Sequence, residues 1–313
     1  MTNPAPISDF VGRQQEGRAV LLAVQAGRSV VIAAPTQYGK SALIDELTPA
    51  LEQVTAVLDT AKVAPFGQWL NDLFSEMRRQ KIPVQGVTYS KNLDEDLKAW
   101  RKLYSGNETR ARSLVDALRV YRSKGVAAPC VLIDDGSGLT QSMVPWLAAF
   151  TEVCALVFCV PPELIQKPQL KRIWQRCDRV DLSPLSPKES GELVDVLTQR
   201  YGVVAQDPPA YRARVLSLSG GVPGEIERLV RFVSTETIVT NKHVGTSLAQ
   251  QVARREERGI ALSPILLIAG AFAMITKYVG LARGEMDLYL IGGIGIALFM
   301  VSSPYLRKLV QIR

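Results

Sequence analysis

The sequence predicts an α/β fold with a parallel sheet, a small helical domain behind it, and two transmembrane helices at its C-terminal end. Three observations carry this expectation. Short β-branched apolar runs alternate with helical periods up to about residue 185, the pattern turns all-helical from Ser186, and two long uncharged runs close the chain.

The elements follow in order. Residues 10–28 read as a helix, with Ala19, Leu22, Ala23 and Ala26 at helical spacing and Gly27 to end it. Ser29 to Ala34 is a continuous apolar run of strand length, as suits a strand buried on both faces. Further strands are expected at Val54–Leu58, Val131–Asp134, Ala155–Val160 and Val180–Leu182, with helices over 66–79 and 107–124 between them. Strands alternating with helices imply right-handed crossovers and a parallel sheet. Ser186-Pro187-Lys188-Glu189 is a capping box with proline at the first helical position, opening a helix to about Tyr201. Two more helices fit 208–218 and 223–236, and 237–259 reads as a polar connector.

The tail differs in composition. Ile260–Thr276 is uncharged for 17 residues and Leu288–Leu306 for 19, near the roughly 17–25 that a spanning helix needs. Arg254, Arg255 and Arg258 flank one side, and Arg307, Lys308 and Arg313 the other. The positive-inside rule therefore predicts a multi-pass hairpin over 260–306 in the cytoplasmic (inner) membrane, with the preceding domain facing the cytoplasm. A buried helical hairpin would be apolar all round as well. The first ten residues are polar and carry no apolar core of a secretion signal. Four cysteines without a C-x-x-C pair, and a single histidine, leave no zinc-ligand spacing; Cys130, Cys154, Cys159 and Cys177 read as reduced core residues. The net charge of +7 permits contact with nucleic acid or anionic lipid without requiring either.

The chemistry lies between the first strand and the helix after it. Ala34-Pro35-Thr36-Gln37-Tyr38-Gly39-Lys40-Ser41 fits G-x-x-x-x-G-K-[ST] except for alanine at the first position, where smallness matters more than positive φ. In such a loop the backbone N–H groups of Pro35–Ala42, proline excepted, and the helix N-terminus cradle phosphates. Lys40 reaches the terminal phosphates and Ser41 coordinates Mg²⁺. Some ninety residues on, Cys130-Val131-Leu132-Ile133-Asp134-Asp135 is an apolar strand ending in paired acids. Asp134 is the expected magnesium partner through water. Asp135 either polarises an attacking water or caps the turn Gly136-Ser137-Gly138.

Phe10-Val11-Gly12-Arg13 with Glu16, the phosphate loop and Leu132-Ile133-Asp134-Asp135 together resemble the AAA+/STAND superfamily of P-loop ATPases. The runs from Val160 to Leu164 and Leu182 to Leu185 are similar to those of bacterial secretion ATPases and transposition regulators. The resemblance implies ATP and Mg²⁺ as ligands, a P-loop NTPase αβ domain over 8–185 and a helical lid over 186–236. It implies that Val11 and Gly12 contact the base and that Pro223 packs near the nucleotide. It also implies that Arg172 or Arg176 acts as an arginine finger toward a neighbouring subunit, so self-association is expected. Two sensors of the family pattern are missing: Val160 and Pro161 stand at the end of the fourth strand, and Gly224 follows Gly221-Val222-Pro223 where an arginine is usual. The expected activity is a slow, membrane-anchored ATP-hydrolysing switch working with an unidentified protein partner. A non-catalytic ATP-sensing scaffold, or a DNA-associated regulator, is the alternative.

Overall fold

The structure, a computed structural model, describes residues 11–234, 262–284 and, further on, 286–287, 289–291 and 293–296. The chain divides into two compact units, Met1–Gly245 and Thr246–Arg313.

Five strands form the sheet of the first unit: β1 (Ser29–Ala33), β2 (Val57–Lys62), β3 (Cys130–Asp135), β4 (Ala155–Val160) and β5 (Cys177–Asp181). Their spatial order is β2-β3-β4-β1-β5, and every pairing is parallel. Strand pleating sends alternate residues to opposite faces. Val30 and Ile32 of β1 join one core with Cys130, Leu132, Val157 and Cys159, while Val31, Ala33, Val131, Ile133 and Phe158 join the other. Both cores are filled, which is why β1, β4 and the first four residues of β3 read as apolar runs.

Helices α1 (Gln14–Gln25) and α2 (Lys40–Glu52) cover the first face with Val20, Val24, Leu43 and Leu47. Helices α3 (Phe66–Arg79), α4 (Leu93–Leu103), α5 (Asn107–Ser123) and α6 (Val144–Val153) serve the second. Trp69, Leu70, Leu73, Phe74 and Met77 of α3 are fully buried at helical spacing, each side chain contributing about 1.5–3 kcal/mol by its removal from water. Two short helices, α7 (Pro162–Ile165) and α8 (Lys171–Trp174), lead from β4 to β5.

The lid follows as α9 (Pro187–Arg200), α10 (Pro208–Ser219) and α11 (Pro223–Val233). The capping box at Ser186 is formed in both directions: Glu189 N–H donates to Ser186 Oγ at 3.3 Å, and Ser186 N–H to Glu189 Oε2 at 2.9 Å. Val194, Leu197, Val215, Ile226 and Leu229 make the lid's interior.

Three expectations need correction. The strand expected at Val54–Leu58 runs from Val57, because the N–H groups of Val54 and Thr55 both donate to Leu51 O at 2.9 Å, closing α2 first. Helix α4 was not expected; it buries only Asp96 and Trp100, too few apolar positions to show a period. The predicted pair of transmembrane helices is not borne out: no helix among the described residues is long and apolar enough to cross a membrane. Described there is α12 (Leu262–Arg283), whose uncharged stretch from Leu262 ends at Lys277, short of the roughly 17 residues required. Residues 297–306 of the second predicted span, the connector 237–259 and Phe10 lie outside the described residues.

Candidate functional site

All five strands end on one side of the sheet, and ligands of open parallel sheets bind beyond those carboxyl ends. A cavity of about 930 Å³ lies there, within the first unit, walled by the loop after β1, the ends of β3 and β4, and the lid helices α9 and α11. Its size is that of a site for one small ligand.

The loop after β1 makes the floor. Gly39 takes φ 84° and Gln37 φ 70°, so the chain turns sharply into the N-terminus of α2. Lys40 heads that helix and folds back over the loop, donating from Nζ to Ala34 O at 2.6 Å and Pro35 O at 2.8 Å. Partial burial holds the Lys40 ammonium below the ordinary lysine range, opposed by the nearby Cys159, Asp134 and Asp135. Ser41 Oγ donates to Asp134 Oδ2 at 3.0 Å across 93 residues of sequence. The two motifs read separately in the sequence therefore meet.

The fit to magnesium rests on Asp134. Its Oδ1 is buried without a hydrogen-bond partner, a costly arrangement for a carboxylate unless a cation or water completes it. Burial, then the carboxylates of Asp134 and Asp45, push the Asp59 carboxyl up, opposed by Arg79. Among the described residues no three His, Cys, Asp or Glu side chains converge to hold an ion alone. A magnesium ion takes one or two protein ligands and fills the remainder with phosphate oxygens and water. Ser41 and Asp134 are the residues that would hold it. When bound, the ion neutralises phosphate charge.

Asp135 is differently placed. Its Oδ1 accepts from Ser137 N–H at 3.0 Å, and Lys62 Nζ lies 4.0 Å from Oδ2. The bonds from Ser137, outweighing burial and helped by Lys62 and Lys40, keep its carboxyl below the usual range, a firmly ionised group. It caps the turn and still lines the cavity. Gly136 is required because its N–H reaches Cys159 O at 2.9 Å, and a Cβ there would meet Val160 Cγ1 at 2.8 Å.

Of the residues singled out from sequence, Val11, Thr36, Gln37, Tyr38, Gly39, Lys40, Ser41, Ala42, Asp134, Asp135 and Pro223 line the cavity. Pro35 supplies a carbonyl to Lys40, and Gly12 lies just behind the wall, where a Cβ would stand 2.9 Å from Leu185 Cδ2. Arg172 and Arg176 do not line it. Arg172 is exposed on α8; Arg176 Nη1 donates to Glu152 Oε1 at 3.0 Å and Ala148 O at 3.2 Å, tying α6 to the start of β5.

Sequence reasoning missed Arg13 and the lid wall. Arg13 is buried, with Nη1 on Glu16 Oε1 at 3.0 Å and Nη2 donating to Ser183 O and to Tyr38 O at 3.5 Å. It stitches the phosphate loop to the strand leading into the lid; its place in the Phe-Val-Gly-Arg box was the available signal. Leu193, Val196, Leu197 and Arg200 share one face of α9, and Gly224 and Glu227 one face of α11. The spacing of three and four marks those faces, but only the docked lid shows which one meets the cavity.

No protein-family model matches the sequence, and no curated protein matches it. Solved structures do. The chain is similar to a Walker-type ATPase of Pyrococcus abyssi, 14% identical with a TM-score of 0.52, over 93% of this chain and 91% of that one. It is also similar to the RuvB Holliday junction branch migration motor of Thermotoga maritima, 14% identical, TM-score 0.43, over 79% of this chain and 72% of that one. A third is the ORC1 protein of Aeropyrum pernix in complex with DNA, 15% identical, TM-score 0.46, over 91% and 79%. The fold is shared with that Walker-type ATPase. Likeness at these identities speaks of the fold alone.

Proposed function

We propose that this chain binds ATP with magnesium in the cavity and hydrolyses it slowly, as a self-associating switch. The observation that carries the reading is the contact of Ser41 Oγ with Asp134 Oδ2 beside Lys40 at the head of α2. A helix N-terminus, a lysine and a hydroxyl–carboxylate pair are what a magnesium-bound triphosphate requires. The apolar wall of Leu185, Leu193, Val196 and Leu197 beside Val11 suits a nucleobase. The test is phosphate release by the purified chain. It should be measurable, and fall to background in Lys40→Ala and Asp134→Ala; equal turnover in both variants would sink the proposal.

A second reading, an ATP sensor without hydrolysis, is favoured by Asp135, whose Oδ1 is already taken by the Ser137 N–H. ATP at a hundredfold over its Kd would then stabilise the fold by about 2.7 kcal/mol while phosphate release stays at background. Self-association with Arg172 or Arg176 acting in trans belongs to the first reading, and shows as turnover that rises steeply with protein concentration. A DNA-associated role rests on Arg78-Arg79-Gln80-Lys81 and Lys171-Arg172. Arg78 is engaged by Asp96 and Ser90 O, and Arg79 by Glu76, which leaves that role the weaker support. Attachment to the cytoplasmic membrane through 260–306, with an unidentified protein partner, remains a proposal from composition. The exposure of Phe272, Ile275, Leu281 and Ile291 supports it, and carbonate extraction of cell membranes decides it.

A further inference from the structure

Two consecutive residues at the cavity wall sit in the left-handed region, Gly12 at φ 73° and Arg13 at φ 65°. For Arg13, which carries a Cβ, that conformation costs about 1–3 kcal/mol and persists only where the surroundings fix it. The turn they make leads into α1, whose N-terminus has no side-chain cap. What holds the turn comes from other parts of the chain. Arg13 is tied to Glu16, Tyr38 O and Ser183 O. Gly12 has no side chain to tie, and contact holds it instead. A Cβ there would stand 2.9 Å from Leu185 Cδ2 and 3.0 Å from both Cδ and Oε1 of Glu189.

The Glu189 carboxylate is thus shared between two elements. Its Oε2 accepts the Ser186 N–H at 2.9 Å and completes the capping box of α9. Its other edge lies against Gly12, the neighbour of Val11, and Val11 lines the cavity. The bonds with Ser186, against partial burial and helped by Arg13 and Lys188, keep the Glu189 carboxyl below the usual range. Leu193 stands one helical turn further along the same side of α9, and it lines the cavity together with Leu185. The first turn of the lid and the Val11–Gly12 segment therefore meet at one carboxylate, and each borders the apolar wall.

We propose that Glu189 is a positioning residue for the base side of the cavity: the carboxylate that caps α9 also seats Val11 and Gly12, so the lid's first turn sets how a nucleobase fits. This rests on the nucleotide reading given above. A cap alone stabilises its helix and leaves affinity untouched. A seat for the wall is coupled to whatever the wall holds, and its loss is felt by the base and not by the phosphates.

The experiment is equilibrium titration of the full-length chain with ATP, adenosine and inorganic triphosphate, for wild type, Glu189→Ala, Glu189→Asp, Glu189→Gln and Ser186→Ala. Glu189→Ala should weaken ATP and adenosine by the same factor, about fivefold or more, and leave triphosphate unchanged. Glu189→Asp keeps the charge but draws the carboxylate back, so it should do likewise, and it carries the test if the alanine variant does not fold. Glu189→Gln keeps the shape and an acceptor for the Ser186 N–H, and should stay near wild type. Ser186→Ala should lower the unliganded melting temperature with all three affinities unchanged. Adenosine affinity intact in Glu189→Ala and Glu189→Asp would leave Glu189 a helix cap and overturn the proposal. Equal weakening of all three ligands would mean a general loosening and overturn it too, as would Ser186→Ala weakening adenosine as much as Glu189→Ala does. If the wild-type chain binds none of the three, the nucleotide reading itself falls and the assignment of Glu189 falls with it.

Discussion

Gly224 and Lys40 show how single residues set the site. At Gly224 the backbone of α11 touches the backbone of the phosphate loop, and a methyl group would press on Gln37 from 2.7 Å. Gly224→Ala is expected to push lid and loop apart, destabilising the chain by about 1–3 kcal/mol and weakening ATP, as a melting curve and a titration on one sample would show. Lys40 gives a dependence on pH. Its folded pKa is lowered by burial, so the folded apo chain binds fewer protons than the unfolded chain between that value and the ordinary lysine value of about 10.4. Lysine burial therefore destabilises the fold at neutral pH, and the penalty fades as pH rises across that window. Nucleotide needs the charged form, so ATP affinity should drop over the same range while adenosine affinity does not; a flat ATP profile to pH 10 would contradict this.

Among the elements, α4 and α9 differ in how far sequence reveals them. Helix α9 announces itself with Ser186, Pro187 and Glu189, and the capping box is formed as read. Ser186→Ala should cost about 1 kcal/mol in chemical denaturation. Helix α4 is held by its polar side. Asp96 is buried, accepts from Ser90 N–H at 2.9 Å and pairs with Arg78, which also donates to Ser90 O at 2.7 Å. Burial alone would raise the Asp96 carboxyl, yet the bonds from Ser90 and Arg78 bring it below the usual range. Its contribution is thus present above the unfolded aspartate pKa of about 3.9 and is lost as pH falls through the lower folded value. Asp96→Ala should cost about 3–5 kcal/mol at pH 7 by stranding Arg78, and the difference from wild type should shrink in acid. Such a network has no sequence period, which is why α4 escaped a reading built on apolar spacing. The same limit hid the lid wall: Val196, nearly half exposed, looks like a surface residue until α9 is docked.

At the scale of the whole molecule, the parallel sheet and the phosphate loop were legible because burial on both faces and a motif between strand and helix are local signals, whereas the strand order β2-β3-β4-β1-β5 was not read. The tail was not, since an apolar run does not say what covers it. The first unit ends at Gly245, so a chain of residues 1–245 should fold cooperatively and bind ATP as the full chain does, which calorimetry and titration would check. The seam between lid and loop has a mechanical consequence. Gln37 O receives the Gly224 N–H, and Leu185 N–H reaches Gly221 O at 2.8 Å, so the head of α11 is fastened both to the phosphate loop and to the chain leaving the sheet at Leu185. A partner that tugs on the outer surface of α10 or α11 would transmit its pull straight into the curvature of the loop beneath the phosphates. By reciprocity, filling that loop would stiffen the handle the partner grips. Grip and occupancy are then two ends of one lever, and its fulcrum is a glycine.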